Sequence, residues 1–169
     1  MFIVPEDGFW LGAAQLPQGD PLLREQIRKD NDQAEQFYLR AIEADPNHAN
    51  TLGNYAGFTL FLGRKETGFE LLEKAISLLP DSEIPGLAAE IWFYAFAHWP
   101  SEKRKEALIN LKKVLLEGQR SSDWDLSKNI EQARKDKHPD IEWVEKLAAV
   151  INEEEDISVL DEWDAWKEA

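Results

Sequence analysis

The sequence predicts an all-α fold, an α-solenoid of stacked antiparallel helix pairs closed by a helical C-terminal cap. Three observations lead there. Apolar residues recur at intervals of three and four, with none of the alternation a half-buried strand needs. One helix face returns at a fixed step: Ala34, Tyr38, Ala41, Ile42 and Pro46 are followed 34 residues later by Gly68, Leu72, Ala75, Ile76 and Pro80. The chain has 169 residues, of which 43% are hydrophobic, which suits one packed domain.

Within each copy the first four positions share one helix face, and the proline beyond them stops propagation. Small residues at the first and third places let a neighbouring helix approach closely. Bulkier ones at the second and fourth fill the space between. The pattern returns at Ala107, Leu111, Val114 and Leu115 after a step of 39, and the extra residues fit a longer turn around Trp99–Lys103. A fourth, poorer echo is Trp143, Leu147, Val150 and Ile151, where the indole replaces a small residue and marks the closing element.

Taken in order, residues 1–19 read as an irregular segment whose Phe2, Ile3, Val4, Phe9, Trp10 and Leu11 are apolar without a period. Asp20-Pro21 supplies a cap and a first-turn proline for a short helix over 20–29. Further helices are expected at 32–44, 48–62, 66–79, 84–98, 101–117, 124–136 and 139–152, with a short one at 157–167. The stretch GLAAEIWFYAFAHW from Gly86 is nearly all apolar and is expected to be buried on several sides. The resulting organisation is an N-terminal segment 1–19, about three helix pairs over 20–118, and a helical cap over 119–169 with an acidic, tryptophan-bearing tail.

These residues resemble the tetratricopeptide-repeat (TPR) family. The unit NTLGNYAGFTLFLGRKETGFELLEKAISLLP, residues 50–80, and DQAEQFYLRAIEADP, residues 32–46, carry the likeness, together with the 34-residue step and the closing prolines. It covers about residues 20–118. Gly68 stands where that family usually has alanine, and the third unit carries the insertion. The resemblance implies a right-handed superhelix whose leading helices line a concave face that binds peptides or protein segments. One pair cannot bury both of its apolar faces, so neighbours must.

Carried onto this chain, the concave face holds Asn50, Asn54, Gly57, Leu60 and Phe61 of the second unit and Ile84, Leu87, Ile91 and Tyr94 of the third. One reading is a groove, with amides that both donate and accept to a ligand backbone and apolar pockets for its side chains. The other makes the apolar members core between units. These helices offer no cation, so the carboxylate clamp of some TPR proteins is not expected.

Charge narrows the partner. The net charge is −14, which disfavours nucleic acid because phosphates would be repelled. Residues 151–169 hold eight acids and one base, half of that total, and Trp163 and Trp166 lie among them. The tryptophans read either as anchors for a basic partner or as part of a cap docked on the last helices. The absence of cysteine removes disulfides, thiolate metal sites and thiol catalysis. His48, His98 and His138 lack metal spacing, and no phosphate loop or nucleophile elbow occurs, so no catalytic residue, metal or cofactor is expected. His138-Pro139-Asp140 reads as a turn opening a helix. No apolar run is long enough for a membrane span, and the N-terminus lacks the basic region of a signal peptide, so the expected location is the cytoplasm.

The function expected is therefore a non-enzymatic TPR-type module that binds a protein or peptide, preferably basic, on its concave face. The alternative is a small acidic inhibitor of the immunity or antitoxin kind, directed at a basic toxin or nuclease. Pairing of exposed aromatics between copies is a third, structural possibility.

Overall fold

The structure, a computed structural model, describes residues 21–169. The N-terminal segment 1–19 lies outside them. The described residues are all-α, with no strand among them. In order they form α1 (Pro21–Ala44), α2 (Ala49–Phe61), α3 (Lys65–Leu78), a 3-10 turn (Leu79–Asp81), α4 (Leu87–His98), α5 (Ser101–Leu116), α6 (Ser127–Lys135), α7 (Ile141–Ile151), a 3-10 segment (Ile157–Glu162) and α8 (Asp164–Glu168).

Two hairpins dominate, α2 with α3 and α4 with α5. The short connections fit the sequence: Gly63 takes a left-handed φ of 76° after α2, and Pro100 caps α5. The recurring positions make the hairpin contacts. Gly68, Leu72 and Ala75 of α3 are buried, as are Ala107, Leu111, Val114 and Leu115 of α5. A Cβ on Gly68 would stand 2.6 Å from Leu60 Cγ, so only a hydrogen lets α3 come this close to α2. The hairpins join through α4, which packs on both α2 and α3.

Two expectations need correction. The separate helices at 20–29 and 32–44 are one helix, α1, so the first unit has no folded-back pair. No glycine or proline interrupts residues 22–44. The polar run at Asp30–Asp32 is tied along the helix by Gln26 donating to Asp30 (2.9 Å) and Arg28 to Asp32 (3.0 Å). The extra length of the third unit lies mainly in residues 79–86, between α3 and α4, whereas only Trp99 and Pro100 separate α4 from α5.

α1 docks on α2 through a small aromatic cluster. Tyr38 stacks on Tyr55 at 5.2 Å and lies 5.5 Å from Phe58, and Ala34 and Ile42 fill in beside them. Glu35 ties the contact to α2 and to the turn that opens α3, accepting from Tyr55 Oη (2.9 Å) and Arg64 (2.6 Å).

α4 is the centre of the molecule. Every residue from Leu87 to Trp99 except Ala88 is buried, because α2, α3, α5, α6 and α7 all pack against it. A helix apolar on all sides requires such a setting. The tail closes the far end: Trp163 stacks flat on Trp143 (5.0 Å between centroids) and meets Phe96 edge-on (5.6 Å). Lys112 of α5 donates to the Trp166 carbonyl (2.6 Å) while its ammonium lies over that indole.

Candidate functional site

The face expected to be a groove is formed by α2 and α4, and it is closed. α2 turns the stripe Ala49, Gly53 and Gly57 toward α4. A Cβ on Gly53 would lie 2.9 Å from Ile91 Cδ1, and one on Gly57 2.7 Å from Tyr94 Cζ. Gly57, Leu60, Leu87, Ile91 and Tyr94 are all buried, so they serve as packing rather than as an open surface. Phe61, Asn50 and Asn54 are half-buried, and Asn54 Oδ1 is a buried acceptor with no hydrogen-bond partner among the described residues. Phe61 meets Phe58 edge-on (5.2 Å). Ile84 is exposed at the rim of a separate cleft of about 360 Å³, beside His48, Leu78 and Asp81.

The cover comes from the chain itself. α6 packs on both α2 and α4, and α7 packs on α4. Three polar side chains at successive turns of α4 meet it. The Ser121 hydroxyl donates to Glu90, the Trp124 indole N–H donates to Tyr94 Oη, and His98 Nε2 donates to Asn129 Oδ1 (2.7 Å). At the far end Lys65, opening α3, pairs with Asp136 at 2.9 Å. Periodicity did not select Glu90, Ser121, His98 or Asn129. Glu90 did carry a signal, as the one charged residue within GLAAEIWFYAFAHW.

Burial sets the protonation of these groups. Among the described residues no cation faces Glu90, and burial pushes it up to about 7, with the Ser121 hydrogen bond pulling the other way. His98 is pushed down to about 4 by desolvation, against the opposing pull of Asn129. His138 is lowered for the same reason; its Nε2 donates to the Phe96 carbonyl (3.1 Å) and its Nδ1 accepts from the Asp140 amide (3.0 Å). Both rings are thus neutral Nε2–H tautomers built into the packing. His138-Pro139-Asp140 is a helix-to-helix turn, with Lys137 left-handed at φ 56°.

Trp163 and Trp166 are buried, which makes them part of the cap and not exposed anchors. The acids around them stay at the surface. Beside them, between α7 and the 157–162 segment, lies a cleft of about 460 Å³ lined by Glu142, Glu145, Glu155 and Glu162, with Val159 and Ala149 as its apolar part. Its one lysine, Lys146, sits 3.3 Å from Glu142 and over the Trp143 ring, so its charge is already engaged. Glu145 is paired with Arg134. Among the described residues no group of His, Asp and Glu is arranged to hold a metal ion, and no helix is long and apolar enough to cross a membrane. No family model, curated protein or solved structure matches the chain.

Proposed function

We propose that the chain is a non-enzymatic protein-binding module of stacked helix pairs, TPR-like over α2–α5, that takes a basic partner. The recurrence of small and bulky positions in α3 and α5, and the two hairpins that share α4, support the repeat reading. The carrying observation for the partner is the acidic cleft between α7 and the 157–162 segment, beside residues 151–169, which contribute half of the −14 charge. Carboxylates around a half-apolar floor suit the long stems and charged heads of lysine and arginine, and they steer encounter with a basic surface. This cleft replaces the α2–α4 face as the docking place, since that face is filled by the chain's own residues.

The inhibitor reading draws on the same surface. With the α2–α4 face closed, the acidic exterior is the surface left to meet a basic toxin. Affinity capture with the full chain and with the Glu155→Lys/Glu162→Lys variant tests the site. Basic proteins are expected to bind the parent, to be lost from the variant and to elute with moderate salt. Partners retained equally by both would move the site elsewhere. Protection by co-expression against one toxin, lost in the same variant, would select the inhibitor reading.

A further inference from the structure

Two polar groups of α4, Glu90 and Tyr94, are held by the connection between α5 and α6. Glu90 is only 7% exposed, and its hydrogen bond among the described residues comes from Ser121. One turn on, Tyr94 is held by Trp124. The connection is fixed at two further points. The Ser121 amide donates to the Ile151 carbonyl at the end of α7 (2.9 Å), and Gly86 lies so close to the Arg120 carbonyl that a Cβ there would stand 2.2 Å from its oxygen. It leaves α5 through Gly118, left-handed at φ 86° with open space around it. The geometry is that of a strap hinged at Gly118 and fastened across α4.

We propose that residues 119–126 are a releasable strap closed over the buried Glu90 carboxyl of α4, and that ionisation of Glu90 lifts it and bares Tyr94. A buried carboxylate without a cation costs more than the strengthened Ser121 hydrogen bond returns, and movement of the strap admits water to it. The surrounding groups offer no relief. Tyr94 of α4 is itself held far above its usual range by burial and by Glu90. Asp125 of the strap and Tyr38 of α1 act on Tyr94 in the same direction. Arg120 commits its guanidinium to the Leu115 and Gln119 carbonyls. α7 presents the Ile151 carbonyl, and α2 presents glycines at its contacts with Ile91 and Tyr94. The closed form therefore keeps a proton that the open form gives up. The grip is fullest below pH 4.5 and weakens as the pH rises through about 7.

Hydrogen exchange in the full chain, corrected for intrinsic rates, tests this at the Ser121 amide and the Trp124 indole N–H. Between pH 5.5 and 8.0 their protection in the parent, relative to the isosteric Glu90→Gln, is expected to fall by about tenfold or more, with the α2–α3 amides level. Ser121→Ala, which removes the fastening without touching Glu90, is expected to lower protection already at pH 5.5. A parent-to-Glu90→Gln ratio that stays constant with pH, or a Ser121→Ala variant as protected as the parent, would overturn the proposal.

Discussion

Replacing Gly57 by alanine sets two opposed effects against each other at the α2–α4 contact. In an unconstrained helix the change stabilises by about 1 kcal/mol, because glycine is the poorer helix former. Here the new methyl would stand 2.7 Å from Tyr94 Cζ, 2.9 Å from Cε2 and 3.0 Å from the hydroxyl. Carbon atoms prefer about 3.5–4.0 Å, so the ring or the helix has to retreat by roughly 1 Å. The ring has little freedom, being fully packed, edge-on to Phe93 and held by the Trp124 indole. Overpacking of this kind costs about 1–3 kcal/mol, which leaves a net loss of roughly 1 kcal/mol. Urea denaturation followed by far-UV circular dichroism reads this as a lower midpoint at unchanged slope. In a Tyr94→Leu background, where the ring tip is gone, the same Gly57→Ala change is expected to stabilise. A single variant more stable than the parent by the full helix-propensity gain would refute the close approach of α2 and α4.

Other outcomes follow from the same packing. Leu72→Ala, fully buried between the helices of the first hairpin, is expected to cost about 2–5 kcal/mol by denaturation. Trp163→Ala removes the stack on Trp143 and the edge contact with Phe96 and is expected to cost about 3–5 kcal/mol, whereas an exposed anchor would cost almost nothing. Glu90 and His98 titrate in opposite senses. Stability from neutral His98 is present above pH 6.5 and lost as the pH falls toward about 4, while that from neutral Glu90 grows as the pH falls from about 7 to 4.5. Over pH 4.5–6.5 Glu90→Gln is therefore expected to lose stability on acidification and His98→Gln to gain it. Identical slopes in the two variants would contradict the buried, neutral state of these groups.

Much of the hairpin architecture is legible in the sequence, because the residues that make it are the ones that recur. Gly68, Leu72 and Ala75 share one face by helical spacing alone, and that face meets α2. The continuity of α1 is less visible. Asp30-Asn31-Asp32 has the composition of a break, and only the side-chain bonds along the helix show why it continues. The extra residues of the third unit were expected near Pro100, but a proline suits a helix start as well as a loop, and the insertion itself contains Pro80 and Pro85. The candidate groove shows a deeper limit. Periodicity identifies which α4 residues share a face, but not what covers it. The cover has Leu126, Ile130 and Ala133 at helical spacing, which marks α6 as a packed helix, but that spacing does not say which helices it covers, and Ser121, Trp124 and Asn129 lie outside the apolar stripe. Trp163 and Trp166 are disguised by the acids around them, Asp161, Glu162, Asp164 and Glu168, which stay exposed while the indoles are buried.

Closure of the α2–α4 face by the chain's own C-terminal half is most directly tested by zero-length carbodiimide cross-linking of the parent protein, mapped by mass spectrometry. Lys65 and Asp136 are 2.9 Å apart across that closure, and Lys103 and Glu73, 2.5 Å apart between α5 and α3, supply an internal standard from one hairpin to the other. An amide bond joining Lys65 to Asp136 in comparable yield to that joining Lys103 to Glu73 is the predicted result. Recovery of the Lys103–Glu73 bond alone would mean that α6 does not lie over the seam and that the α2–α4 face is open.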